Sequence, residues 1–568
     1  MKHASVKKTN NKTSGLVNIC AWIVTALVGM TMLISGGYFE YVSSFCLVLL
    51  AVVMILVSVQ HRLQIPWSLD FLAFVCLAGA YLFSALWAVD SGIAVGGFYK
   101  TLPAVLFFLL LYQFDSFRER LLHYIPVAGV LLTVFTYEMS FFRSFRSYVC
   151  VNNRLSGTFQ YPNTLAIFLL ICVILLAKEK FQDKIDIVYT VILLFGIYKT
   201  GSFTTYILAA IVCGILILNN KKIRKIAIPI YLCLLVGVMI YMLLGHEIVD
   251  MKLKLSTFTG RLLYAQDALP LIAKHPFGLG YYGYFFMEKS IQTGVYTVVN
   301  IHNELLQFLL DIGWLPALFF FFVLIRAVVK KKDGYAVEYK IALVTLLVHS
   351  MFDFDFQFLS ILFLVVLLLP KRETKEIVFG NVLCGIEIVC TIILAICAGT
   401  YGASNLLYTQ GHYDAAITAN SSNTLAKAKK LSESTDLTEA EALAKDIEKS
   451  NTCIPTVYAV LAQCEYNRGN MEGYITQKTH ALQLDPYNYD GYLEYMNVLL
   501  SSCSNYMQAG ETDSAKICLK RMESIYDMLD KLAERTSTLG YQIQEKPTLT
   551  LPTEYRKLMN QLEMNLDE

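Results

Sequence analysis

The chain has 568 residues, 56% of them hydrophobic and 16% charged, with a mean hydropathy of +0.51. Soluble domains carry about 25% charged residues, so this composition excludes a single soluble globule. A net charge of +2 and a pI near 7.8 give no sign of a nucleic-acid partner.

Four lysines, Lys2, Lys7, Lys8 and Lys12, open the chain, and no small-residue cleavage site follows the apolar run after them. Residues 1–15 therefore read as a cytoplasmic tail, and Leu16–Ser35 as a retained first span rather than a signal peptide. Further apolar runs lie near 41–59, 68–88, 93–114, 121–140, 163–177, 185–199, 202–218, 226–244, 303–326, 341–352, 357–370 and 378–400. The expected fold class is all-α: a polytopic membrane protein of about 12–13 transmembrane helices, followed by a smaller helical domain. Several runs fall short of the ~20 residues of a straight crossing, so 341–370 reads equally as one interrupted helix. Nine of the 14 cysteines sit in apolar runs, where cysteine is usually a small buried hydrophobe. The other five, Cys150, Cys453, Cys464, Cys503 and Cys518, show neither metal-ligand spacing nor a disulfide framework.

Basic residues alternate between the two sets of loops. One set holds the N-terminal lysines, Arg62, Arg118, Arg120, Lys178 to Lys184, Lys221 to Lys225, Arg326 to Lys340 and Lys371 to Lys375. The other set (36–40, 88–92, 141–162, 245–302 and 353–356) is poorer in Lys and Arg for its length. The positive-inside rule thus places the N-terminus in the cytoplasm and, with an odd number of spans, the C-terminal domain outside. The outward loop 245–302 is the longest interruption, too long to be an idle connection. It enters a span at "IHNELLQFLLDIGW", which puts His302, Asn303 and Glu304 at a membrane boundary.

After Thr400 charge rises and long apolar runs stop. In 406–420, Gly411, Tyr413 and Ala416 match the turn between paired helices of a tetratricopeptide repeat. In 455–488, Tyr458, Leu461, Gly469, Ala481 and Pro486 fall at the 34-residue repeat's offsets, and a looser copy begins near Tyr489. Residues 403–568 resemble two to three such units with a charged helical insert around 425–450. Stacked helix pairs suit the docking of a protein or glycan partner, or simply cap the loops beneath them.

Four blocks carry a further resemblance: "NNRLSGTFQYPNTLA" (152–166), "TGRLLYAQDALPLIAKHPFGLGYYGYF" (259–285), "HNELLQFLLDIGWLP" (302–316) and "HSMFDFDFQF" (349–358). Together, in this order, residues 16–400 resemble the bacterial O-antigen ligase/polymerase superfamily, some members of which carry tetratricopeptide extensions. The resemblance implies a cofactor-free, metal-independent glycosyltransferase of the plasma (inner) membrane. Its donor would be a glycan on a polyprenyl diphosphate, and its acceptor a hydroxyl on a glycan, lipid or protein. His302 matches the family's histidine and suits a general base. Arg261 matches the arginine of the "GR" block, whose planar guanidinium grips diphosphate oxygens. The family's second arginine, in a "Ser-Arg" pair, is missing: the stretch reads "YKTGSFTTY", with Phe203 after Ser202. Lys199 or Arg154 could supply the charge, with Asn303 beside His302 as a further substrate contact.

Two other classes compete: a transporter or flippase of lipid-linked sugars, and a non-catalytic anchor for the C-terminal helices. No half-to-half repeat is visible and the charges cluster in loops, against the first. Thirteen spans exceed what an anchor needs, against the second.

Overall fold

The computed structural model describes residues 11–60, 63–114, 117–178, 184–219, 251–330, 335–370 and 375–567, with scattered positions between 225 and 237. The span expected at 226–244 lies largely outside the described residues. Helices α1 (Asn11–Leu33), α2 (Glu40–Gln60), α3 (Leu69–Ser84), α4 (Ser91–Gln113) and α5 (Phe117–Met139) run in succession, with strand β1 (Gln64–Trp67) after α2. Side-chain caps start two of them. Ser68 Oγ accepts from Phe71 N (3.1 Å) and Asp90 Oδ1 from Ile93 N (3.0 Å), satisfying donors that have no partner within the helix. A short α6 (Arg143–Val149) and the hairpin β2 (Cys150–Val151)–β3 (Arg154–Leu155) lead into α7 (Pro162–Lys178), α8 (Lys184–Thr200) and α9 (Phe203–Asn219). Next come α10 (Met251–Lys274), α11 (Gly283–Ile291), α12 (Glu304–Ile312), α13 (Trp314–Val329), α14 (Val337–Ser350) and α15 (Leu359–Leu368). Strand β4 (Lys375–Val378) and α16 (Asn381–Thr409) complete this half.

Burial follows composition. A helix apolar on every side belongs inside: Leu165 to Leu176 of α7 are all at most 6% exposed, and α15 at most 5%. Helix α16 does the reverse. Val382, Ile386, Val389, Ile393 and Ile396 recur at spacings of three and four and are 56–77% exposed, an apolar stripe that suits lipid. Among the described residues four helices are long and apolar enough to cross a bilayer alone: Glu40–Val59, Ser91–Gln113, Phe117–Met139 and Asn381–Thr409. At the basic end, β1 and β4 pair antiparallel with Gln64 opposite Val378, tying α2 to α16. There too Arg118 donates to Leu367 O from Nε (2.9 Å) and Nη2 (2.7 Å), capping carbonyls at the end of α15.

One expected span is divided, and the 341–370 stretch, read either as two runs or as one interrupted helix, is broken in the middle. The run 303–326 breaks at Gly313 (φ +81°), where an added Cβ would lie 2.3 Å from Pro276 O. The backbone groups freed by the break find partners in "KHPFGLG": Leu279 N to Leu310 O (2.6 Å), Gly280 N to Asp311 O (3.0 Å) and Trp314 N to Pro276 O (2.9 Å). The 341–370 stretch is two helices, α14 and α15, joined by an irregular turn at 351–358.

The rest is helical: α17 (Tyr413–Ala419), α18 (Thr424–Glu433), α19 (Leu437–Ser450), α20 (Pro455–Asn467), α21 (Met471–Leu484), α22 (Tyr489–Ala509), α23 (Thr512–Arg535) and α24 (Thr553–Asp567). The turns of three hairpins, α16/α17, α20/α21 and α22/α23, use left-handed glycines: Gly411, Gly469 and Gly510, at φ +79°, +75° and +77°. Tyr458, Leu461 and Ala481 share one buried cluster that also takes in Ile93 and Phe286 of the membrane half. All 14 cysteines are unpaired. Polar contacts fix the same seam: Asn451 Nδ2 to Asp90 Oδ2 (3.2 Å), Lys289 to Asp485 (2.6 Å), and Arg535 Nη2 to the carbonyls of Ser290 and Gln292 (2.7 Å each). The C-terminal helices therefore sit on the end of the membrane half that carries the 251–303 loop, away from the basic loops.

Candidate functional site

The site is assembled at that end by five segments, the last of them the 351–358 turn. The hairpin β2–β3 turns through Asn152 (φ 50°) and Asn153 (φ 60°), residues that tolerate left-handed backbone, and so presents Arg154. Tyr161 and Asn163 flank Pro162 at the start of α7, a position proline favours. Arg261 comes from α10, and His302 directly precedes α12.

These side chains meet on Asp353, which lies in the helix break at 351–358 and is 1% exposed. Its Oδ1 accepts from Tyr161 Oη (2.7 Å) and Phe354 N (3.1 Å), and His302 Nδ1 lies 3.2 Å away. Its Oδ2 accepts from Asn163 Nδ2 (2.8 Å) and Arg261 Nη2 (3.2 Å). Burial alone would raise this carboxyl, but Arg261 and the His302 hydrogen bond hold it well below the usual carboxylate range. An ionised carboxylate only accepts, so in the neutral form of the His302 ring the proton belongs on Nδ1, facing Asp353, and the lone pair on Nε2. Phe354 packs edge-on against the imidazole at 5.0 Å and fixes its plane. The guanidinium side chain of Arg261 is 18% exposed, and its buried Nε has no hydrogen-bond partner among the described residues. Burial opposes that charge, while Asp353 and then Tyr161 raise its pKa further. A buried donor without a partner stands out where nearly all such groups are paired.

The other expected residues are placed differently. Arg154 donates from Nε to Thr200 O (2.7 Å) and from Nη2 to Asn163 Oδ1 (2.6 Å), joining the cluster one residue removed from Asp353. It lies against Gly201, whose Cβ would be 3.2 Å from Arg154 Nε, two residues before Phe203. Lys199 sits with Nζ 5.4 Å from the centre of the Tyr137 ring, and no described contact links it to Asp353. Asn303 is occupied at both ends of its amide: Oδ1 accepts from Leu306 N (3.0 Å), capping α12, and Nδ2 donates to Met351 O (2.9 Å). It clamps the His302 segment to the Asp353 turn.

A deeper layer supports that turn. Glu304 Oε1 accepts from Phe356 N (2.7 Å). His349 Nδ1 lies 2.6 Å from Asp355 Oδ2 and its Nε2 3.2 Å from Thr205 Oγ1, while Thr164 donates to Asp355 Oδ1 (2.9 Å). Asp353 and Asp355 thus face different partners, as residues two apart must when the chain is not extended around one ligand. Sequence reasoning missed Asp353 as the organiser, with Tyr161 and Asn163. The signal was present: "QYPN" and "FDFDF" both stand in the blocks that carry the resemblance.

The loop between α10 and α12 is pinned by buried acids. Asp267 Oδ2 accepts from Thr293 N (2.9 Å) and Tyr296 Oη (2.9 Å). Glu288 accepts from Val298 N at both oxygens (3.1 and 3.0 Å), and burial pushes its carboxyl up to about 8. A carboxyl raised in the folded state contributes fully below its ordinary pKa, and that contribution is lost as pH rises toward the folded value. Thermal unfolding of the purified protein should therefore show stability falling between pH 5 and about 8. Glu288→Gln should flatten that slope, while an unchanged slope in the variant would assign it elsewhere.

Residues 187–322, running from α8 into α13, match the family model described as O-Antigen ligase. No curated protein and no solved structure gives a significant match to the chain. The matched stretch contains Arg261 and His302, and it supports the O-antigen ligase superfamily and, at that level, a glycosyltransferase-like activity on membrane glycans.

Proposed function

We propose that this protein transfers or polymerises a glycan from a polyprenyl-diphosphate donor onto an acceptor hydroxyl at the outer leaflet of the plasma membrane. The observation that carries the reading is Asp353, which holds a general base on one carboxylate oxygen and a diphosphate-seeking arginine on the other. His302 Nε2 takes the proton of the acceptor hydroxyl as its oxygen bonds to the donor's anomeric carbon. The bond from that carbon to the phosphate oxygen breaks, and its electron pair leaves with the polyprenyl diphosphate. Arg261, through its unpartnered Nε and its remaining open N–H groups, offsets the charge on that leaving group. Arg154 stands in for the absent second arginine, because it lies beside Gly201 in the stretch where that arginine is expected. Asp353 keeps the imidazole in the required tautomer and stabilises the imidazolium, as a carboxylate does behind a catalytic histidine. The scheme uses no metal. The C-terminal helical hairpins are tetratricopeptide-like units that frame the acceptor side and can hold a protein partner.

In a strain lacking this protein, a polyprenyl-linked glycan should accumulate while one surface glycan disappears. Wild type should restore it and His302→Ala should not; an unchanged glycan profile in the deletion would remove the reading. The same reading puts the 251–303 loop outside. In spheroplasts of a background without reactive native cysteines, an impermeant maleimide should label Lys274→Cys and spare Lys330→Cys. Labelling of both from one side would defeat the topology.

A further inference from the structure

A second polar cluster is connected to His302 through a chain of aromatic contacts. Phe354, packed on His302, is followed by Tyr38 at 6.1 Å between ring centres, and the Lys100 ammonium lies over Tyr38 at 4.7 Å. Lys100 is 6% exposed. Among the described residues its one hydrogen-bond acceptor is Tyr281 Oη (3.1 Å), and no carboxylate lies within ion-pair distance. Tyr281 in turn donates to Glu40 Oε1 (2.5 Å). A buried ammonium with one hydroxyl acceptor and two tyrosine faces (Tyr38 at 4.7 Å, Tyr281 at 5.4 Å) among the described residues keeps N–H donors for a further acceptor. Glu40, half-buried at the start of α2, has no described partner at its second oxygen.

Tyr282 supplies an independent sign. It adopts φ +65°, a left-handed conformation that a bulky side chain takes only at a cost of ~1–3 kcal/mol. Glycine would take it freely, and Gly283 is next in sequence. The backbone thus accepts strain to keep an aromatic ring there. That ring packs edge-on to Tyr281 at 4.8 Å, is half-buried, and its hydroxyl makes no described hydrogen bond. Aromatic faces combined with a carboxylate and an ammonium that still have hydrogen-bonding capacity match the chemistry of a sugar, whose C–H faces stack while its hydroxyls donate and accept.

We propose that Glu40, Lys100 and Tyr282 form a saccharide-binding subsite for the acceptor glycan, delivering its terminal hydroxyl to His302. The subsite rests on the glycosyl-transfer reading. Glu40 accepts hydrogen bonds from sugar hydroxyls, Lys100 donates to them, and Tyr282 stacks on a pyranose face.

The test is binding of the full-length protein in nanodiscs to an array of bacterial surface oligosaccharides. Wild type and His302→Ala should bind the same glycans, and Glu40→Gln should lose at least tenfold in signal. Tyr282→Gly should also lose it. A purely structural ring would leave any glycan signal intact in the folded variant. No signal from wild type, or undiminished signal from Glu40→Gln and Tyr282→Gly, overturns the subsite. Normal transfer by His302→Ala would instead remove the transferase reading while leaving the array result standing.

Discussion

Arg261→Ala is expected to lower glycosyl transfer by about 10²–10³-fold, the usual consequence of losing one donor to a developing oxyanion. The loss has two parts. The leaving diphosphate is left without its guanidinium, and Asp353, 1% exposed, is left without the cation that chiefly keeps it ionised. Arg261→Lys separates them, because a lysine restores the positive charge but not the planar fork. Recovery to within about tenfold of wild type would show that charge near Asp353 matters most; Arg261→Lys as inactive as Arg261→Ala would show that the fork on the diphosphate does. Transfer assays in proteoliposomes with a lipid-linked donor read both, and near-normal transfer by Arg261→Ala would remove this residue from the chemistry. Arg154→Ala should fall between, since its guanidinium reaches the cluster through Asn163.

Helix-forming composition and apolar periodicity are local properties, and they made the membrane half legible. The exposed stripe on α16 and the fully buried α7 are both visible as patterns in the chain. The break at Gly313 was not, although "LLQFLLDIGWLPALFF" carries a glycine and, three residues on, Pro316, because both residues are common inside membrane helices. What ends α12 is distant: Gly278 and Gly280, both left-handed, bring backbone N–H and C=O groups against it. The site divides in the same way. His302 and Arg261 stand in blocks whose residue types announce their chemistry. Asp353 reads as one of two acids in an aromatic run, and only the meeting of α7, α10 and the 351–358 turn shows that it collects four side chains. Lys199 and Arg154 were equal candidates by charge. The tight hairpin at Asn152–Asn153 aims Arg154 toward Thr200 and Asn163, whereas Lys199 stays with Tyr137.

Removing the base should have the largest effect of all. General-base assistance contributes ~10²–10⁴-fold, and His302 is the described imidazole with one nitrogen on Asp353 and the other open at the site. Asp353→Asn keeps the shape but offers an amide that can donate toward Nδ1, so it favours the wrong tautomer and should approach His302→Ala in severity. The two changes together should cost little more than either alone, because residues that act as a unit are not additive. The decisive measurement is the single-turnover rate of glycosyl transfer by purified His302→Ala in proteoliposomes, with insertion and unfolding temperature matched to wild type. A fall of 10²-fold or more is expected; transfer within a few fold of wild type would contradict the role assigned to His302, and with it the catalytic reading of the Asp353 cluster.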